Sequence, residues 1–240
     1  MQLEGKIALV TGGARRVGKA ISLALAFQGA TVIVHHHTKS PEADQTLEEI
    51  RRIQPKSSQY LADLSQTGEM EEMFQKIGKE FGGIDILVNN AAIFYPTPLH
   101  TITEKQWDDL MDVNLRGAFW CAKLATPMMF KRGAGKIINI ADVAALNPWP
   151  NYSAYSISKA GVIAMTKSLA KALAPKVQVN AVAPGPVLLP DDTSDADAKK
   201  SIEKTLLKRV GQPTDVSAAV VYLIQSDFVT GEVLAVDGGR

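Results

Sequence analysis

The sequence predicts an α/β fold, a doubly wound parallel sheet with helices on both faces. Three observations carry this. Short runs rich in Val, Ile, Leu and Ala recur along the chain, as strands buried on both faces require. Longer helix-like stretches separate them, and strand–helix alternation over the whole length argues for parallel pairing through helical crossovers. The chain has 240 residues, 46% of them hydrophobic, which suits one domain with a sizeable core.

The elements follow in order. Residues 7–10 read as the first strand, and the Gly-rich stretch Thr11-Gly-Gly-Ala-Arg-Arg-Val-Gly18 leads from it into a helix over 18–27. A strand over 31–34 and a helix over 42–53 come next, then a weaker strand candidate at 59–61 and a helix over 68–81. The strand at 84–88 precedes one long helix over 104–130. The strand at 136–140, the helix at 153–173, the strand at 177–182, the helix at 215–225 and the strand at 233–236 complete the series. Residues 184–209 are the least regular part, opening on Pro184-Gly185-Pro186, turning at Pro190 and carrying the acidic cluster 191–195. Segments of that length in a compact domain are often binding loops, so 184–209 is expected to be a substrate loop or lid. With no internal repeat and no linker, residues 1–240 read as a single dinucleotide-binding domain.

Composition narrows the function. A net charge of +1 gives no bulk attraction for nucleic acid or membrane. No apolar run is long enough to span a bilayer, and the first six residues lack the core of a signal peptide. A soluble cytoplasmic protein is expected. Cys121 is the single cysteine, so no intrachain disulfide forms, and its apolar surroundings suggest a packing residue.

The first βα turn has the context of a dinucleotide site: strand before, helix after, glycines between. Gly12 and Gly13 allow close approach to a pyrophosphate, and the helix N-terminus offers N–H groups and a positive dipole end. No Asp or Glu follows the second strand, which continues His35-His36-His37-Thr38-Lys39. Arg15 and Lys39 offer cations for a 2′-phosphate instead, which favours NADPH over NADH. The three histidines do not read as a metal site, because successive strand residues point to opposite faces. A cofactor-lining role for one of them, His35 first, is expected.

Tyr155 and Lys159 stand four apart, one turn of a helix. A phenol has a pKa of about 10, and a neighbouring ammonium favours its anion. The pair is expected to act as a proton donor, with the lysine lowering the tyrosine's pKa.

With Thr11-Gly12, Asp63-Leu64, Asn89-Asn90-Ala91, Asn114, Tyr155, Lys159, Pro184-Gly185 and Asp237-Gly238-Gly239 in this order, the chain resembles the short-chain dehydrogenase/reductase family over essentially its whole length. The resemblance implies a Rossmann-type fold, Tyr155 as proton donor, Lys159 holding the nicotinamide ribose and Asn114 anchoring a water linked to the lysine. It implies cofactor contacts at Gly12, Arg15, Arg16, Val17, His35, Lys39, Asp63, Leu64, Asn90, Ala91, Tyr155, Lys159, Pro184, Gly185 and Val187. Two departures stand out: Arg16 replaces a loop glycine, and Asp142 replaces the catalytic serine thirteen residues before the tyrosine. Both resemble the pteridine reductase branch, as do the stretch after the second strand and Asn90–Leu99, where Phe94 corresponds to a residue stacked on the pterin. Thr38 and Ala92 depart from that branch.

The expected activity is therefore NADPH-dependent reduction of a pterin-like ring, with Arg16, Phe94, Asp142 and Tyr155 facing the substrate. An ionised carboxylate only accepts hydrogen bonds and a protonated one can donate, so Asp142 suits a ring carrying N–H groups and imine nitrogens. Burial near Tyr155 is expected to raise its pKa. The alternatives are a short-chain reductase of a 3-oxoacyl thioester or ketone, and, from another class, an NADPH-binding regulator without turnover. Phe94 also reads as a core aromatic, Asp142 as a cap, and Trp149 as either a cavity wall or a stiffener of its loop. The helix over 153–173 is apolar on more than one face, which predicts burial in a core or against another subunit. The family resemblance extends this to a homotetramer.

Overall fold

Successive residues of a strand face opposite sides of the sheet, so a strand apolar at every position needs a cover on both. The computed structural model, which describes residues 1–188 and 195–240, and the side chains of all these except 195–197, meets that need. Its strands are β1 (Ile7–Val10), β2 (Thr31–His36), β3 (Ser58–Leu61), β4 (Ile86–Asn89), β5 (Gly135–Ile140), β6 (Val177–Pro184) and β7 (Val233–Val236). Its helices are α1 (Arg16–Phe27), α2 (Pro41–Ile53), α3 (Thr67–Phe81), α4 (Glu104–Met111), α5 (Gly117–Lys131), α6 (Ser153–Leu173), α7 (Asp195–Glu203) and α8 (Pro213–Gln225).

The seven strands form one parallel sheet in the order β3-β2-β1-β4-β5-β6-β7, a Rossmann-type doubly wound arrangement. Ala8 and Val10 of β1 pack with Ile21 and Leu25 of α1, Ile50 of α2 and Val220 of α8 on one face. Leu9, between them, packs with Met73 and Phe74 of α3 and Cys121 and Ala125 of α5 on the other. Cys121 is fully buried and burial pushes its thiol up to about 12, so it packs rather than reacts. Chain direction across the sheet reverses between β1 and β4, which opens a crevice at the carboxyl ends of the strands.

Two expectations need correction. The helix expected over 104–130 is three pieces, because a π turn, Asp112–Arg116, separates α4 from α5. The wider turn accommodates an extra residue and brings Asn114 inward, where it is buried. Periodicity alone does not reveal such an insertion. The segment 184–209 is not wholly irregular either, since α7 lies within it. Pro190, residues 191–194 and the side chain of Asp195 lie outside the described residues. No helix among the described residues is long and apolar enough to cross a membrane.

A buried polar ladder fixes α6 against the sheet. Asn89 of β4 donates to Asn139 of β5 at 2.9 Å, and Asn139 donates to Thr166 of α6 at 2.9 Å. Within the apolar layer these groups are costly unless paired, so the ladder specifies one position for α6.

Candidate active site

The turn after β1 is held from several sides. Thr11 Oγ1 accepts from the N–H groups of Asn90 and Ala91 at 2.9 and 3.1 Å. The Asn90 amide donates to the carbonyls of Thr11 and Gly12, both at 3.0 Å. A Cβ on Gly18 would lie 2.0 Å from the Gly12 carbonyl oxygen, so only glycine fits where α1 begins. The N-terminus of α1 has no side-chain cap from Arg15 and no acidic residue in its first turn. This is an anion-attracting helix end beside a backbone cradle, and it fits a cofactor pyrophosphate.

His35 braces the cradle. Its Nδ1 accepts from the Gly12 N–H at 3.2 Å, and its Nε2 faces the Ala62 carbonyl at 2.9 Å. Burial lowers its pKa to about 4 against the opposing pull of that carbonyl, so the ring is neutral with its proton on Nε2. His35 lines the crevice, yet both ring nitrogens are committed to the protein.

The crevice is a cavity of about 670 Å³. Of the residues expected at the cofactor, all but Lys39 line it: Gly12, Arg15, Arg16, Val17, His35, Asp63, Leu64, Asn90, Ala91, Tyr155, Lys159, Pro184, Gly185 and Val187. Lys39 is exposed outside the lining, while Thr38 and Ser40 beside it are inside, together with Glu42. Burial pushes the Asp63 carboxyl up, but hydrogen bonds from Ser65 and the nearby imidazoles of His37 and His35 outweigh it and hold the pKa below its usual range. Arg16 adopts a left-handed φ of 51° and donates to the Leu188 carbonyl, tying the phosphate loop to the segment after β6.

The reacting end of the cavity lies where β5 stops. Asp142 is extended and caps a short 3-10 turn, Val143–Ala145, with Oδ1 accepting from the Ala144 N–H at 2.7 Å. Its other oxygen, Oδ2, accepts from the Tyr155 hydroxyl at 2.8 Å. Asp142 therefore caps a turn and also faces the catalytic candidate. Lys159, one turn further along α6, donates to the Ile140 carbonyl at 2.8 Å and lies 5.9 Å from the centroid of the Tyr155 ring.

The electrostatics differ from expectation at Tyr155. Burial, then the charge and hydrogen bond of Asp142, raise its pKa well above the usual phenol value. Lys159 does not reverse this; its own burial lowers its pKa to about 8, against the opposing charge of Asp142. Asp142 behaves as expected: burial raises its pKa, against the opposing effects of Ala144, Tyr155, Lys159 and Arg240.

Asn114 and Phe94 lie outside the cavity lining. Asn114 accepts from the Ile93 N–H at 2.8 Å and donates to the Ile93 carbonyl at 3.0 Å and to Ser158 at 3.2 Å. It braces the loop after β4 against α6, next to Lys159. Phe94 is 47% exposed, with one face stacked on Tyr152 at 4.8 Å between centroids and 5° between planes. A ligand ring can therefore meet only its other face. Sequence reasoning missed Tyr152, whose position opposite Phe94 depends on a loop path that no local pattern encodes.

Residues 12–240 match the family model described as enoyl-(acyl carrier protein) reductase. The chain is 36% identical over 244 residues to a 3-oxoacyl-(acyl-carrier-protein) reductase of Thermotoga maritima, covering 100% of this chain and 99% of that protein. It is 37% identical over 239 residues to the Staphylococcus aureus reductase of the same name, covering 98% and 97%. Among solved structures, NAD+-bound xylitol dehydrogenase superposes with a TM-score of 0.93 at 26% identity, over 100% of both chains. None of these is described as acting on a pterin, so the likeness to the pteridine reductase branch is not matched by these relatives.

Proposed function

The chain belongs to the short-chain dehydrogenase/reductase family, and from that premise we propose that it is an NADPH-dependent reductase with Tyr155 as proton donor. The observation that carries this is the placement of Tyr155 and Lys159 in the same cavity as the phosphate cradle. A bound nicotinamide supplies the hydride. Tyr155 then delivers a proton to the atom that becomes electron-rich, and Lys159 contributes positive charge beneath it. Arg15, Thr38 and Ser40 are the groups assigned to a 2′-phosphate.

A 3-oxoacyl thioester stands first as substrate class, since relatives matched end to end carry that name. A second reading, a dihydropterin-like ring, is favoured by one observation, the Asp142 carboxyl in the cavity. A carbonyl oxygen has no proton to give an ionised carboxylate, whereas a ring N–H has. NADPH oxidation is to be followed with acetoacetyl-coenzyme A, 7,8-dihydrobiopterin and dihydrofolate, for the wild type and Tyr155→Phe. Turnover of the thioester, lost in the variant, supports the first reading. Turnover of the pterins alone transfers the assignment to the second. Tight NADPH binding with no turnover of any acceptor would replace both by a non-catalytic NADPH-binding regulator.

The proposal extends to assembly as a homotetramer. Ile157, Ala160 and Ala164 leave one face of α6 exposed, and a second copy of the chain is the proposed cover. A monomer by light scattering at micromolar concentration would remove this part.

A further inference from the structure

Above Tyr155 stands a wall of aromatic rings. Phe94 meets Tyr155 edge-on at 4.8 Å and Trp149 edge-on at 6.3 Å, and Trp149 meets Tyr152 edge-on at 5.7 Å. Arg240, beyond β7, lays its guanidinium over the Trp149 ring, 5.1 Å from the centroid. Its charge also reaches Asp142, where it favours the ionised carboxylate. Among the described residues Arg240 makes no ion pair and no side-chain hydrogen bond, although it is half-buried.

A guanidinium stacked on an indole is attracted through its face and keeps its N–H edge available. The edge suits a planar or tetrahedral oxyanion bound through two parallel hydrogen bonds. The site otherwise presents Asp142, which repels an anionic substrate; Lys159 and Arg240 are the cations whose charge reaches it, and Lys159 is engaged by the Ile140 carbonyl. We propose that Arg240, held by Trp149, is a substrate-recognition residue that binds a carboxylate or phosphate carried by the substrate away from its reacting bond.

The inference rests on the reductase reading only for its substrate, so its test includes a readout without turnover. Acceptors are paired by reacting group: acetoacetyl-coenzyme A, with phosphates, against ethyl acetoacetate, and dihydrofolate, with carboxylates, against 7,8-dihydrobiopterin. In Arg240→Ala, the KM of the anionic member of the pair that is turned over is expected to rise on the order of 10- to 100-fold. Its kcat and both constants of the neutral member stay level, and Arg240→Lys recovers part of the loss. The two pairs distinguish a phosphate from a carboxylate. Calorimetric titration of the NADPH-loaded protein with acetoacetyl-coenzyme A and with dihydrofolate gives the independent readout. Weaker binding of either in Arg240→Ala, with NADPH affinity unchanged, supports the subsite even if no acceptor is reduced. Equal binding of both ligands by wild type and variant overturns it, as does an equal KM change for charged and neutral acceptors.

Discussion

The Tyr155 hydroxyl donates to Asp142 Oδ2 at 2.8 Å, so the proposed proton donor faces a carboxylate as well as the Lys159 ammonium. The carboxylate is in direct contact and the ammonium is not, and a charge in contact outweighs one further off in a site shielded from water. The acidity of Tyr155 is set by this balance.

Replacing Asp142 by serine should tip it. The Tyr155 phenol, freed of an adjacent anion, should ionise at lower pH than in the wild type, and ultraviolet difference titration reads that directly. Lys159 should lose support as well, because Asp142 favours its charged form. An alkaline fall of kcat/KM is expected near pH 8 in the wild type if Lys159 governs it, and in the variant it should begin at lower pH. An unchanged alkaline limb would show that Lys159 does not govern it.

Lys159 also predicts a pH dependence of stability. Its folded pKa of about 8 lies below the ordinary lysine value of 10.5, with burial the cause. Between those values the unfolded chain binds more protons than the folded one, so this group makes stability rise with pH across that window. Below it the full penalty of a buried ammonium is present. Urea midpoints measured across the window should climb less steeply in Lys159→Met than in wild type, and the variant should be the more stable protein at neutral pH.

Gly18→Ala tests the cradle. The new methyl would lie 2.0 Å from the Gly12 carbonyl oxygen, which is backbone and has little room to move. The expected cost is about 1–3 kcal/mol of stability, with a parallel loss of NADPH affinity from a displaced loop. Thermal unfolding with and without NADPH checks both; retention of full affinity would show that the loop does not hold the cofactor phosphates.

Arg16 occupies a left-handed conformation that glycine adopts without strain. Arg16→Gly should relieve roughly 1–2 kcal/mol while deleting the hydrogen bond to Leu188. The two effects separate by measurement. Thermal stability should hold or rise, and amide exchange at Val187 and Leu188 should quicken. Unchanged exchange would mean that Arg16 does not tether that segment.

Six strand positions and the weaker seventh were legible because a strand buried on both faces leaves a dense apolar run, and β1, β4, β5 and β6 do so. The π turn at Asn114 and the helix α7 were not. A π turn shifts the apolar phase by one residue within a single turn, too local a change for periodicity to expose, and α7 follows a proline and acidic residues that mask it. Gly12, Asp63, Asn90, Asp142, Tyr155 and Lys159 are legible as site candidates in the sequence, and one cavity gathers them. Phe94 is legible as a candidate too, but it lies outside that lining, and the Tyr152 ring that takes one of its faces is not legible in the sequence.

By itself the sequence determined the alternation of elements, the phosphate turn and the four-residue step from Tyr155 to Lys159, because each depends on residues close together in the chain. Only the tertiary structure decided the charge states and the partners. Asp142 meets Tyr155 across thirteen residues, His35 braces Gly12 across twenty-three, and Arg240 reaches Trp149 from beyond the last strand. Burial and through-space charge act over ångströms rather than over sequence positions. The expected fall in the Tyr155 pKa therefore became a rise once packing had removed water and brought the carboxylate into contact.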